Sequence, residues 1–133
     1  MAGGVAYVDS SAFVKIVVEE PESPALLRAL GRWPQLASAS LLKAEAVRAL
    51  RRSGNVDQVD KAKRLLRAVR LISVDEPLLD TAGDLEPADL RTLDAMHLAA
   101  ALTLGPELGP MFVYDDRLKH SAEALGLDTR SPR

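Results

Sequence analysis

The chain has 133 residues and a formal net charge of −2 at pH 7, because 19 acidic side chains outnumber 17 lysines and arginines. Its composition, 47% hydrophobic and 27% charged, is ordinary for a globular protein and excludes a disordered or membrane-embedded class. The lack of cysteine excludes disulfides, zinc–thiolate sites and thiol catalysis, so any metal ion must bind to oxygen or imidazole.

The length fits a single domain over residues 1–133, and the sequence contains no linker, internal repeat or low-complexity tract. No apolar stretch approaches the roughly 20 residues that span a bilayer. The first residues also lack the basic and apolar regions of a signal peptide. We therefore expect one domain with a cytoplasmic location.

The first third of the chain predicts a strand followed by two helices. Val5–Val8 is a short apolar run rich in β-branched residues. The Asp-Ser-Ser segment at 9–11 can cap a helix that continues to about residue 18. Prolines near the start and a glycine after the end predict a second helix over about residues 21–30.

The middle third alternates short strands with helices. From Ser40, apolar residues recur at helical spacing until the Ser-Gly-Asn segment at 53–55 stops them. Another helix is predicted over about residues 56–69, with its basic residues on the polar side. The remaining elements here are strands at 36–38 and 71–74 and a short helix with Pro77 in its first turn, reaching Ala82.

The last third begins with a polar loop at 83–91, which leads to an alanine-rich helix over about residues 92–104. The remaining elements are a strand at 111–114, a helix from Asp115-Asp116 to Leu125 and a short strand at 127–129. Strands that alternate with helices predict parallel pairing with helices on both faces of the sheet. The expected fold is an α/β, three-layer α/β/α sandwich with a short central parallel sheet.

Two aspartates directly follow predicted strands. Asp9 comes after Val5–Val8, and Asp115 comes after the strand at 111–114. Ligands of an open parallel sheet bind beyond the carboxyl ends of its strands, so both side chains are expected at the same edge. Both aspartates are also good helix caps, and capping alone remains an alternative for each.

Two further carboxylates lie on apolar helix faces. Glu45 shares its face with Leu42 and Ala49, and Asp94 shares its face with Leu98. An unpaired buried carboxylate is costly, which favours a functional role. The alternatives are a buried salt bridge for Glu45 and a favourable position at a helix start for Asp94.

Four carboxylates at one edge of a sheet repel one another, at about 3 kcal/mol for each ionised pair about 5 Å apart at an effective dielectric of about 20. A cation among them removes this cost, and an oxygen-only site suits Mg²⁺ or Mn²⁺. Such ions polarise phosphoryl groups and lower the pKa of a bound water. The expected chemistry is phosphodiester hydrolysis by a metal-activated water.

Four segments resemble motifs of PIN domains of the VapC type. They are VDSSAFVK at 8–15, LLKAEAVRAL at 41–50, LRTLDAMHLAAA at 90–101 and FVYDDRL at 112–118. They occur in the order typical of the family and span nearly the whole chain, and the third is the most specific. Val113 departs from the family, which often has threonine before the tyrosine.

The resemblance implies a metal-dependent endoribonuclease, the toxin of a VapBC-type toxin–antitoxin pair. Its catalytic, metal-binding acids would be Asp9, Glu45, Asp94 and Asp115, with Asp116 as a substitute for the last. Ser11 is expected to hold a carboxylate or a water, and Thr92 to cap its helix and orient Asp94. His97 is expected to be a packed helix residue rather than a metal ligand.

The partners implied by the resemblance are an RNA substrate, a cognate VapB-type antitoxin and a second copy of the chain in a homodimer. Basic residues are concentrated between positions 43 and 70, where nine lysines and arginines face three acidic residues. Arg48, Arg51 and Arg52 are the first candidates for contacts with RNA phosphates. An ordinary solvated helix face explains the same pattern.

Two other functions remain open at the level of sequence. A phosphatase of the haloacid dehalogenase-like type would use Asp9 as its nucleophile, but that family has a second aspartate where this chain has Ser11. A receiver domain would need an acidic pair early in the chain and a lysine after a late strand, and this order is reversed here. A PIN-like module that binds RNA or a protein partner without cutting remains the non-enzymatic alternative.

Overall fold

The computed structural model describes residues 3–133 as a sheet of five parallel strands between two layers of helices. The strands are β1 (Val5–Val8), β2 (Gln35–Ala39), β3 (Val69–Ile72), β4 (Leu108–Phe112) and β5 (Thr129–Arg130). Their order across the sheet is β3-β2-β1-β4-β5, and every neighbouring pair is parallel. The predicted three-layer α/β/α fold is confirmed.

Helices connect the strands and cover both faces of the sheet. They are α1 (Ser10–Val17), α2 (Ser23–Leu30), α3 (Leu42–Arg52), α4 (Val59–Leu66), α5 (Glu76–Gly83), α6 (Thr92–Thr103) and α7 (Asp116–Ala124). Short 3₁₀ turns at Val56–Gln58 and Gly105–Glu107 precede α4 and β4. Within residues 3–133, none of the helices is long and apolar enough to cross a membrane.

The two faces of the sheet have separate apolar cores. All four residues of β1 are buried, as expected of a central parallel strand. Val5 and Tyr7 contact the core formed with α5, α6 and α7, whereas Ala6 and Val8 contact the core formed with α1 and α2. Successive side chains of β1 therefore point to opposite layers. A third cluster joins α1, α3 and α4 around Leu42.

Two predicted boundaries in the middle of the chain were wrong. The helix predicted over 56–69 is a 3₁₀ turn followed by α4, which ends at Leu66. The strand predicted at 71–74 begins at Val69, because Val69 already pairs with Leu36 in β2. Pairing with a neighbouring strand decides this boundary, and local sequence does not report it.

The last two strands are also displaced from their predicted positions. β4 begins at Leu108 rather than at residue 111, and β5 occupies Thr129–Arg130 rather than 127–129. Gly109 and Pro110 are poor strand formers, which hid the start of β4. The structure requires glycine at this position, because a Cβ on Gly109 would lie 2.6 Å from the Trp33 ring.

Candidate functional site

A cleft of about 520 Å³ opens at the carboxyl edge of the sheet. The four carboxylates that the sequence singled out line it from four segments: Asp9 after β1, Glu45 on α3, Asp94 on α6 and Asp115 before α7. The other residues that line it are Ser10, Arg52, Arg91, Thr92, Leu93, His97 and Leu118. The fold therefore brings together side chains that are far apart in sequence.

Asp9 combines helix capping with almost complete burial. Its Oδ1 accepts a 2.9 Å hydrogen bond from the backbone N–H of Ala12, which makes Asp9 the N-cap of α1. The residue is only 2% exposed, and this burial raises the pKa of its carboxyl group to about 6, against the opposing effect of its hydrogen bonds. Capping alone does not explain a carboxylate held in the cleft at this energetic cost.

Ser11 links Asp9 to the end of β4. Its hydroxyl lies 2.7 Å from both carboxylate oxygens of Asp9. The same oxygen accepts hydrogen bonds from the backbone N–H groups of Tyr114 at 2.8 Å and Asp115 at 3.2 Å. Ser11 therefore contacts a carboxylate, and it also ties together the two segments that contribute the aspartates.

Asp94 and Asp115 lie close enough to influence each other. Asp94 is partly buried, which raises the pKa of its carboxyl group, and the charge of Asp115 adds to the rise. Asp115 is exposed and caps α7, with its Oδ1 accepting a 3.1 Å hydrogen bond from the N–H of Leu118. Asp116 is the first residue of α7 and is not among the described residues that line the cleft. The structure thus places Asp115 with the other three acids.

Glu45 has a buried partner that the sequence did not reveal. Its Oε1 lies 2.7 Å from Nε2 of His97, while 21% of the Glu45 side chain remains exposed. His97 is 2% exposed, and its Nδ1 lies 2.7 Å from the hydroxyl of Tyr7. The Glu45 carboxylate is therefore hydrogen-bonded to a buried side chain and still lines the cleft. His97 is packed inside the fold, as expected.

The structure corrects the capping role expected of Thr92. The cap position of α6 is Arg91, and Thr92 is the first helical residue. No side chain of the described residues forms a capping hydrogen bond at the start of this helix. Arg91 has the extended backbone conformation of a cap residue, and Thr92 already lies within the helix, so the Thr92 side chain does not cap it. Thr92 still lines the cleft beside Asp94.

The three arginines predicted to contact RNA do not share one position. Arg48, Arg51 and Arg52 are all exposed on α3, but only Arg52 lines the carboxylate cleft. Arg91, which the sequence did not single out, also lines the cleft. It was missed because it ends a polar loop, where a single arginine has no distinguishing pattern.

The donor atoms suit a hard cation, although they are not already assembled around one. Four of the eleven residues that line the cleft carry carboxylates, and Mg²⁺ and Mn²⁺ prefer such ligands. Within residues 3–133, no group of three Asp, Glu or His side chains is arranged to hold an ion. Burial raises the pKa values of the Asp9 and Asp94 carboxyl groups, so their ionised forms are disfavoured at this site.

This chain is similar to proteins of one family. A family model described as the PIN domain matches residues 6–123. Ribonuclease VapC46 of Mycobacterium tuberculosis (strain ATCC 25618 / H37Rv) is 48% identical over 128 residues, covering 95% of this chain and 96% of that protein. Ribonuclease VapC47 of Mycobacterium tuberculosis (strain CDC 1551 / Oshkosh) is 35% identical over 130 residues, with the same coverage.

Solved structures share the same architecture. Mycobacterium tuberculosis VapC20, described as a Sarcin-Ricin loop cleaving toxin, superposes with a TM-score of 0.72 at 17% identity, covering 92% of this chain and 95% of that chain. VapBC2 from Rickettsia felis, bound to a DNA fragment from their promoter, gives a TM-score of 0.67 at 14% identity, covering 97% and 99%. At these identities the likeness concerns the fold alone.

Proposed function

Because the chain belongs to the PIN-domain family and is a VapC-type toxin endoribonuclease, we propose that it cuts RNA in the carboxylate cleft. We also propose that Mg²⁺ or Mn²⁺ binds in this cleft to Asp9, Glu45, Asp94 and Asp115. One observation carries the proposal: four carboxylates from four separate segments line a single cleft. Raised pKa values of two of them mean that their ionised forms cost folding free energy. A bound cation offsets that cost.

The chemistry is hydrolysis, with water as the attacking group. A divalent cation in this cleft would supply positive charge to the phosphodiester and lower the pKa of a water molecule. The protein keeps its carboxylates in place before substrate arrives: Asp9 is held by Ser11 and Ala12, and Glu45 is held by His97. No side chain of the protein has to act as a nucleophile.

Arginines at the cleft attract the RNA backbone. Arg52 and Arg91 line the cleft itself, while Arg48 and Arg51 extend the basic surface along the exposed side of α3. Arginine attracts phosphate at any metal concentration, whereas ionised carboxylates repel it until a cation is bound. Local positive charge thus allows a chain with a net charge of −2 to bind RNA.

The proposal extends to partners and location. A cognate VapB-type antitoxin that covers the cleft would exclude RNA and inhibit the toxin. We also propose that the toxin is a homodimer and that it acts in the cytoplasm, where its RNA substrate is found. The similarity to VapC46 and VapC47 supports a toxin of this kind. The Rickettsia felis VapBC2 assembly supports a protein partner of the VapB type.

Cleavage by metal-stripped protein tests the proposal. The purified chain is treated with excess chelator, dialysed and incubated with structured and single-stranded RNA. We expect no cleavage until Mg²⁺ or Mn²⁺ is added. Cleavage that is undiminished in excess chelator would contradict the metal dependence. RNA that is bound but never cut, with either ion, would identify a non-cleaving RNA-binding module.

A further inference from the structure

We infer that His97 is a positioning residue for the metal site: it holds the Glu45 carboxylate at the cleft, while Tyr7 fixes which nitrogen of the His97 ring carries the proton. The inference rests on the proposed role of Glu45 as a metal ligand. Its basis is a chain of hydrogen bonds that begins at the end of β2 and passes through Tyr7 on β1 and His97 on α6 to α3.

Three contacts make up this chain. The backbone N–H of Ala39 donates to the Tyr7 hydroxyl over 3.1 Å. The hydroxyl lies 2.7 Å from Nδ1 of His97, and Nε2 of His97 lies 2.7 Å from Oε1 of Glu45. Tyr7 is fully buried, and the two rings meet edge to face with their centroids 5.8 Å apart. Every side-chain polar atom of Tyr7 and His97 therefore has a partner, as buried polar atoms require.

The two ends of the chain determine its direction. The N–H of Ala39 only donates, so the Tyr7 oxygen accepts that bond and its own O–H is available for Nδ1 of His97. An ionised Glu45 carboxylate only accepts, so Nε2 must donate. With Nε2 as the donor to Glu45 and Nδ1 as the acceptor from Tyr7, each hydrogen atom in the chain has an acceptor.

This arrangement gives His97 a task other than metal binding. Both of its ring nitrogens are engaged, so neither has a lone pair available for an ion. Instead, Oε1 of Glu45 is fixed by His97, and Oε2 has no hydrogen-bond partner among residues 3–133. A glutamate side chain has several rotatable bonds, and ordering them in advance removes an entropic cost from metal binding. Outer partners of this type orient metal ligands generally.

A purely structural role for these hydrogen bonds leads to a different result. If His97 only satisfies buried polar atoms, its loss lowers the free energy of unfolding and leaves the metal affinity of the folded protein unchanged. If His97 positions Glu45, metal affinity falls in protein that is still folded. The two roles are therefore separated by measuring metal binding and folding on the same samples.

The test is calorimetric titration of Mn²⁺ into wild type, His97→Phe, His97→Gln and Tyr7→Phe, each checked for folding by circular dichroism. We expect His97→Phe to bind Mn²⁺ about 10- to 100-fold more weakly. His97→Gln keeps an N–H donor and should recover most of the affinity, and Tyr7→Phe should be intermediate. His120→Gln, at the exposed second histidine, is the matched control and should bind as wild type does. Wild-type affinity in folded His97→Phe overturns the inference.

A second measurement needs no variant and so does not depend on how well the variants fold. Nitrogen-15 NMR of the wild-type histidine rings reports which nitrogen carries the proton, and we expect His97 to be protonated at Nε2. Protonation at Nδ1 alone overturns the inference. Wild-type protein that binds Mn²⁺ but cuts no RNA contradicts only the proposed function. Wild-type protein that binds no Mn²⁺ overturns both.

Discussion

Tyr114 donates its backbone N–H to the Ser11 hydroxyl over 2.8 Å, a hydrogen bond between residues 103 positions apart. Because the hydroxyl has a single hydrogen, it donates to one Asp9 oxygen at a time while its lone pairs accept from the segment after β4. The segments that follow the neighbouring strands β1 and β4 are thereby joined through one side chain. Ser11 therefore contacts the Asp9 carboxylate and the backbone of Asp115 at the same time.

Ser11→Ala is therefore expected to affect both folding and cleavage. The substitution leaves the Tyr114 N–H without its partner, which should lower the free energy of unfolding by about 1–3 kcal/mol. RNA cleavage should fall as well, because Asp9 loses the hydroxyl that holds it. Ser11→Thr keeps the hydroxyl and should restore both, and Ser10→Ala, one residue away, should change stability little. Urea unfolding and cleavage rates check this, and a fully stable, fully active Ser11→Ala would refute it.

The buried carboxyl group of Asp9 predicts that stability of the metal-free protein falls as pH rises. The unfolded chain loses this proton near its ordinary pKa of about 4, whereas the folded protein loses it at about 6. Between these pH values the folded state keeps the Asp9 proton while the unfolded state has lost it. The resulting contribution to the free energy of unfolding is lost as pH increases through this range. The difference of about two pKa units corresponds to about 3 kcal/mol. The raised pKa of Asp94 acts in the same direction.

Urea unfolding in chelator from about pH 4 to about pH 7 measures this effect, since these values bracket the titration of Asp9. Asp9→Asn removes the charge and retains a capping oxygen, so it should flatten the pH dependence and stabilise the metal-free protein at neutral pH. Added Mg²⁺ should recover stability in wild type and not in Asp9→Asn. A wild-type protein that becomes more stable over this range would contradict the assignment.

Asp115 and Asp116 form a matched pair for locating the fourth acid. They are adjacent and both exposed, but of the two only Asp115 lines the cleft. Asp115→Asn retains the capping oxygen of α7 and should reduce cleavage at least as much as loss of an outer partner does, about 10- to 100-fold. Asp116→Asn should cleave RNA as wild type does. The reverse outcome would show that Asp116 rotates into the site.

Arg52 and Arg91 are expected to set the salt dependence of RNA binding. Each alanine substitution that removes a contact with an RNA phosphate should reduce the magnitude of the slope of log affinity against log salt. The reduction should be about 0.7 per lost contact for single-stranded RNA. Binding is measured without metal, so that no metal ion links the carboxylates to the RNA phosphates. Arg28→Ala, at an exposed position of α2 and outside the lining of the cleft, is the control. An unchanged slope in Arg52→Ala/Arg91→Ala would place the RNA elsewhere.

The sequence predicted the acidic residues of the cleft because each obeys a local rule. Asp9 and Asp115 follow strands, and parallel strands end at one edge, so their common location follows from topology. Glu45 and Asp94 stood out as charges on apolar helix faces. Their arrival in one cleft required only the correct fold.

The features that sequence reasoning missed depend on contacts between distant segments. His97 has one partner 52 residues away and another 90 residues away, and neither distance leaves a periodic signal. Thr92 was expected to be a cap because threonine favours that position, but the chain enters α6 with Arg91 in the cap conformation. The start of β4 was hidden by Gly109, whose lack of a side chain makes room for Trp33.

Asp94→Asn tests the central claim, that the carboxylate cleft cuts RNA, most directly. Asparagine is nearly isosteric with aspartate, so the fold should be retained, while a neutral amide is a weak ligand for a hard cation. The measurement is the rate of RNA cleavage in Mg²⁺ by wild type and by folded Asp94→Asn, with thermal unfolding measured on the same samples. We expect cleavage to be lost and the metal-free variant to be at least as stable as wild type. Cleavage at the wild-type rate would contradict the claim.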